Sequence, residues 1–304
     1  MKLLIIILSG VLLLQGCSRK AYLFTSFHEP ANAGLRMLYS YDGYKWKDLD
    51  TVFLRPQIGN QLVMRDPSMV QGPDGVFHLV WTTSWRGDKG FGYASSKDLV
   101  HWSEERMLPV MQYEPTTVNV WAPELFYDDE QRRFIIVWAS CIPWRFEKGQ
   151  EEDSNNHRLY ATTTRDFKTF TPTVLFFDAG FSVIDAVIVK RKSNDYVLVL
   201  KDNTRPERDI KVAFAGNVMG PYTQVSKAFS DNFTEGPSVV KIKEDWLIYY
   251  DSYRKKVYEA SSTKDFVNFS NIDNKISVPV GHKHGTIVVT NKKFVKELVH
   301  RNIN

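Results

Sequence analysis

Apolar positions along the chain fall in short runs bounded by Gly, Pro, Asp and Asn, and no segment sustains a helical period. That pattern predicts an all-β fold. The runs come in sets. Ser68 to Val70, the turn Gly72-Pro73-Asp74-Gly75, Val76 to Thr82 and a stretch from Tyr93 make one set. Glu124 to Tyr127, Phe134 to Ala139 and a stretch from Tyr160 make the next. Ala186 to Val189, Tyr196 to Leu200 and Val212 onward follow, and then Ser238 to Ile242, Trp246 to Tyr250 and Tyr258 onward.

The last run of each set carries a recurring phrase. It is clearest in Tyr93-Ala94-Ser95-Ser96-Lys97-Asp98-Leu99-Val100-His101-Trp102, with near copies from Tyr39, Tyr160 and Tyr258 and a degenerate one from Val212 to Tyr222. Each reads as a strand, a tight turn holding Asp or Gly, and an aromatic packing back, which gives Trp46, Trp102, Phe170 and Phe269 structural roles. A spacing of about 45–70 residues is the period of propeller blades. The fifth set is split. Tyr22 to Phe27 and the phrase at Tyr39 lack a preceding strand, and Thr286 to Thr290 near the other end lacks partners. Joining them predicts a five-bladed β-propeller from about Ala21 to Arg301, its last blade closed by N- and C-terminal strands so that no long sheet edge is left unpaired.

Composition changes this picture little. The 304 residues are 43% hydrophobic and 24% charged, and the net charge of +4 is spread without a basic block, which argues against nucleic acid as a partner. One domain and a monomer are expected. The start adds more. Met1-Lys2, the apolar run Leu3 to Leu14 and the ending Leu14-Gln15-Gly16-Cys17 read as an export signal over residues 1–16, too short to span a membrane. The ending resembles a bacterial lipobox, implying cleavage before Cys17, lipidation of Cys17, and a domain over residues 17–304 anchored at the periplasmic or cell-surface face of an envelope. Cys141 is then the other cysteine, with no internal disulfide to make, and is expected in the core.

The innermost strand of each blade lines a propeller's channel, so the residues leading into those strands converge at one mouth. They read Arg65-Asp66-Pro67, Trp121-Ala122-Pro123-Glu124, Ile184-Asp185-Ala186, Glu235-Gly236-Pro237 and His282-Lys283-His284-Gly285. Carboxylates gathered there repel one another, and their pKa values should be driven apart. Glycoside hydrolysis needs that, one carboxyl serving as acid and one as carboxylate. Trp121 and Trp85 are candidate stacking platforms for a sugar, with Trp144 and Phe181 behind them. Arg65 either contacts a hydroxyl or positions Asp66. Lys201-Asp202 and Asp251-Ser252 follow second strands, and the sequence leaves open whether they reach the same region. The polar loop Glu147 to His157 is expected on a rim.

These motifs resemble glycoside hydrolase family 43, five-bladed propellers that cleave arabinofuranosides, xylosides and related sugars with inversion. The resemblance covers nearly the whole mature chain and implies Asp66 as general base, Asp185 as the residue that orients the acid and tunes its pKa, and Glu235 as general acid. Ala186 stands where the family more often has Pro, and Glu124 stands for Asp in the family's Trp-Ala-Pro-Asp element, a substrate contact. His284, with His282 as rival, resembles a channel histidine that holds a water-coordinated calcium. No other cofactor is implied. The expected substrate is a plant-type oligosaccharide or polysaccharide attacked from its end, an α-L-arabinofuranoside first, with β-xyloside and β-galactoside behind. A non-catalytic glycan-binding propeller is the alternative. A sialidase, suggested by the Asp-box-like Ser40 to Trp46, would need six blades rather than five.

Overall fold

The computed structural model describes residues 20–303; the expected export signal and Cys17 lie outside the described residues. Each set of runs forms an antiparallel sheet. β1 (Lys20–Ser26), β2 (Arg36–Ser40) and β3 (Lys47–Asp48) come first. β4 (Arg65–Gln71), β5 (Phe77–Thr82), β6 (Phe91–Ser96) and β7 (Arg106–Leu108) follow, then β8 (Trp121–Asp128), β9 (Arg133–Cys141), β10 (His157–Thr164) and β11 (Val174–Phe177). β12 (Val183–Lys192), β13 (Asp195–Asp202) and β14 (Asp209–Ala215) precede β15 (Thr234–Ile242), β16 (Asp245–Ser252), β17 (Val257–Thr263) and β18 (Phe269–Asn271). The chain ends with β19 (Ile287–Asn291) and helix α1 (Lys292–Ile303). β19 pairs antiparallel with β1, Val288 opposite Leu23, and supplies the inner strand that the first sheet lacks. The five expected blades and their mixed closing blade are therefore present.

The core lies between blades. Each main cluster of buried apolar side chains draws on two neighbouring sheets: Val80 and Tyr93 meet Ile136 and Trp138, and Ile135 and Leu159 meet Leu198 and Ala213. The recurring phrase pins these seams. Asp98 Oδ1 accepts the Val100 and His101 amides (3.0 and 2.8 Å), and Ser96 Oγ accepts that of Leu99 (2.8 Å). The turn forces Leu99 to φ 62° and presses its buried side chain into the seam. Asp166 with Phe167 and Asp265 with Phe266 repeat the device, and at Asp42 the positive-φ position is Gly43. In the degenerate copy the fourth strand is missing, and that sheet has three. There the chain turns at Tyr222, whose hydroxyl donates to the Val218 carbonyl (3.0 Å).

Helix α1 departs from the all-β expectation. Phe294, Val295, Leu298 and Val299 share one face and close the seam between the first two blades, with the Phe294 ring 5.4 Å from that of Phe77. Its apolar stripe is too short to stand out as a period among the seven charged or polar residues of the helix. Among the described residues no helix is long and apolar enough to cross a membrane. Cys141 is a buried free thiol, as expected, pushed up to about 11 by burial. Leu298→Ala should cost about 2–5 kcal/mol, because a buried leucine leaves a cavity where the ring closes. Urea denaturation checks this, and a change within experimental error would mean that α1 does not support the closure.

Candidate active site

Four inner strands begin with the same defect. β4, β8, β12 and β15 lose register with their partners between Arg65 and Ser68, Trp121 and Glu124, Ile184 and Val187, and Glu235 and Ser238. Inside each bulge one residue is left-handed: Asp66 (φ 51°), Ala122 (45°), Asp185 (51°) and Gly236 (58°). Bulges re-aim side chains, and Asp tolerates this backbone region better than most residues. Asp66 and Asp185 occupy the same place in their bulges, and Glu235 stands one residue earlier. All three line one cavity of about 250 Å³ at the mouth. Glu124 stands two residues after its bulge position and lies farther down the channel. There it accepts a hydrogen bond from Thr286 Oγ1 (2.9 Å) and lines a separate cavity with Ile188 and Ser238. The expectation that Glu124 contacts substrate is thus corrected: β-strand alternation beyond the bulge carries it out of the mouth.

The pKa values separate as crowding requires. Asp66 faces His284 Nδ1 at 3.2 Å and accepts from Thr82 Oγ1 at 2.9 Å. Burial pushes Asp66 up, but His284, Arg65 and Thr82 together outweigh it and hold the carboxyl below its ordinary value. His284 is pushed down by burial and up by Asp185, Asp66 and Glu235, ending at about 9, so it is an imidazolium at neutral pH. Asp185 accepts the Gly236 amide at 3.0 Å and is raised, first by burial and then by Glu235 and Asp66, against His284 and Lys201. Glu235 accepts from Lys201 Nζ at 2.9 Å; burial raises it, but Lys201 outweighs burial and the net shift is downward. Of the three, Asp185 is therefore the carboxyl whose protonated form is favoured, while Lys201 favours the ionised form of Glu235. Because His284 keeps its proton and already faces Asp66, its ring repels a cation. The residues around it do not fit a calcium ion, and no step is derived through one. His282 turns elsewhere, toward Ser26 and Asp48.

Two tryptophans wall the cavity. Trp85 and Trp121 meet edge to face at 5.6 Å, Trp121 Nε1 donates to the Trp85 carbonyl, and the buried His157 ring backs Trp121. Arg65 lies 4.0 Å from the Trp85 ring centre with its charge held by both oxygens of Glu29 (2.8 and 3.0 Å), so it positions Trp85 and Asp66 more than it offers a free donor. Trp144, 81% exposed, and Phe181 lie away from the cavity lining. Of the second-strand ends, Lys201 reaches the cavity, whereas Asp202 bonds Lys211 and Asp251 bonds Lys283. Asn155, Asn203, Arg208 and Tyr253 complete the wall and were missed. Asn203 and Tyr253 sit just past the strand ends that were singled out. Asn155 belongs to the loop expected on a rim; Asn203 Nδ2 donates to its Oδ1 (3.3 Å) and Ser182 Oγ to its carbonyl (2.6 Å), which tie it to the mouth.

A closed five-sheet ring with three carboxylates, a lysine and an imidazolium at one mouth defines a propeller hydrolase for sugars. Residues 18–294 match the family described as "Probable glycosyl hydrolase domain", a relation of glycoside hydrolase family 43, and the chain belongs to that family. It is a glycoside hydrolase, of a class that cleaves with inversion. Among solved structures it is similar to an α-L-arabinanase of Cellvibrio cellulosa complexed with arabinohexaose (14% identity, 86% of this chain and 95% of that one, TM-score 0.60). It is also similar to an α-L-arabinofuranosidase from Lactobacillus brevis (17%, 69% and 72%, 0.51) and to a family 43 β-1,3-galactosidase with galactodeoxynojirimycin (14%, 83% and 91%, 0.60). No curated protein matches it in sequence.

A Cβ at Gly236 would run into the His284 ring, on a backbone already at φ 58°. Gly236→Ala should therefore lose about 1–3 kcal/mol. The control is Gly216→Ala, where the nearest atom to a Cβ is 3.8 Å away. Equal unfolding midpoints for the two variants would contradict this packing.

Proposed function

We propose that this enzyme removes single terminal sugars from plant-type glycans with inversion, an α-L-arabinofuranosyl unit first. Asp66 is the base, Glu235 the acid and Asp185 the residue that orients the acid and tunes its proton. The observation that carries this reading is the convergence of Asp66, Asp185 and Glu235 on one tryptophan-walled cavity from three separate blades. Its small size supports attack at a chain end. Asp66, ionised well into acid, takes a proton from water as that water attacks the anomeric carbon. Glu235 gives its proton to the leaving oxygen. Lys201 keeps Glu235 ionised in the free enzyme, so a sugar that parts the two leaves burial dominant and the carboxyl protonated. A β-galactoside is the second reading, favoured by the similarity to a β-1,3-galactosidase. The lipobox-like Leu14 to Cys17 supports a lipid anchor at the bacterial envelope, which Cys17→Ser should release into the soluble fraction.

Glu235→Gln and Asp66→Asn should each lower kcat by about 10²–10⁴-fold while the fold survives. Nitrophenyl α-L-arabinofuranoside, β-xyloside and β-galactoside measure this and rank the sugars. Full activity of Glu235→Gln would remove the acid assignment, and no activity of the parent on any sugar would favour a binding propeller. Lys201→Met removes the charge that lowers Glu235. A carboxyl with a raised pKa keeps its proton to higher pH, so the alkaline limb of kcat/KM should move upward. An unmoved limb would show that Glu235 is not the acid Lys201 controls.

A further inference from the structure

A second cluster of chemistry-bearing side chains sits on the same end of the ring, outside the cavity. His28 follows β1, Asp48 ends β3 and His282 precedes β19. Their ligand atoms all lie within 4.8 Å of one another. We propose that His28, Asp48 and His282 bind one divalent ion of the zinc class, which clasps the ring where its two ends meet.

The donor set selects the metal. Two imidazoles and one carboxylate suit zinc, and three protein ligands leave a tetrahedral ion one position for water. Arg36 faces both histidines, so the site carries less negative charge than calcium or magnesium would need. Three details point to an ion. His28 Nε2 is buried and has no hydrogen-bond partner among the described residues, although buried ring nitrogens are normally satisfied. His282 Nδ1 lies 2.5 Å from Ser26 Oγ, the kind of outer bond that fixes a metal-binding ring, and it leaves Nε2 toward Asp48 Oδ2 at 3.0 Å. The two rings sit edge to face at 4.4 Å.

The position gives the ion a task. Lys283 N donates to the Phe27 carbonyl at 3.0 Å, so the chain leading into β19 is already stitched to the chain leaving β1 between the two histidines. An ion there would join residues 28, 48 and 282 across the seam that no covalent bond closes. It would also steady Glu29, the partner of Arg65 beside the proposed base. This site is distinct from the channel around His284, whose ring faces Asp66.

The test uses the untagged chain, stripped with a chelator and titrated with zinc chloride. Metal content after gel filtration and the unfolding midpoint with and without zinc are measured. One zinc per chain and a midpoint raised by several degrees are expected. His28→Gln should lose both while matching the chelated parent's midpoint, because Nε2 makes no bond to lose. Should His28→Gln fail to fold, Co²⁺ absorption of the parent decides: intense tetrahedral bands support the site, and a weak octahedral spectrum overturns it. Less than one zinc per parent chain, or the same zinc content and midpoint rise in His28→Gln, also overturns the proposal, the latter assigning the binding to surface histidines such as His101.

Discussion

Thr25 and Thr286, 261 residues apart, exchange hydrogen bonds where the ring closes. The Thr286 amide donates to Thr25 Oγ1 (2.8 Å) and the Thr25 amide to the Thr286 carbonyl (3.1 Å). The same two side chains reach the next blade and, across the channel, the one after it. Thr25 Oγ1 donates to the Pro67 carbonyl at 2.5 Å, one residue past Asp66, and Thr286 Oγ1 donates to Glu124. His284 stands two residues before Thr286. The contact that closes the ring therefore also sets the imidazolium against the carboxylate that it holds ionised. Gly285 between them must be glycine, since a Cβ there would strike the Thr25 carbonyl. Closure and chemistry share one set of atoms, and this is why a chain with interblade cores and no disulfide among the described residues can hold charged groups in register across its axis.

The blade plan was legible because each blade repeats a local requirement. An Asp must cap two amides in a turn that forces a positive φ, at an apolar residue in three copies and at Gly43 in the fourth, and that demand writes a similar phrase four times. The site was legible to the extent that it follows from position in the repeat. Asp66, Asp185, Glu235, Trp85, Trp121, Arg65 and His284 all line the cavity. Glu124 was misplaced because reading a strand as a plain alternation ignores the bulge that shifts everything after it. Asn155 and Arg208 were invisible because their place depends on loops whose path is set by long-range bonds, such as Arg205 N to Glu151. The His28, Asp48 and His282 group comes from three segments that share no motif, and only ring closure brings it together.

The charges around the cavity explain why so few groups decide its protonation. Arg65 is cancelled by Glu29, and Asp251 by Lys283. Inside the wall, Asp66, Asp185 and Glu235 face Lys201, His284 and Arg208. An unpaired charge in such a site is costly. Asp185 is the carboxyl of the three that is raised, because its hydrogen bond comes from a neutral amide while each of the other two has a cation. The seat of a proton among the carboxyls is set by which of them sits nearest a cation, and this gives Lys201 control over the acid without its touching the reacting bond. Asp185 then matters to the chemistry as the alternative seat of that proton: the more tightly Lys201 holds Glu235 ionised, the more fully Asp185 is neutralised, and a sugar that separates Lys201 from Glu235 reverses the preference between the two.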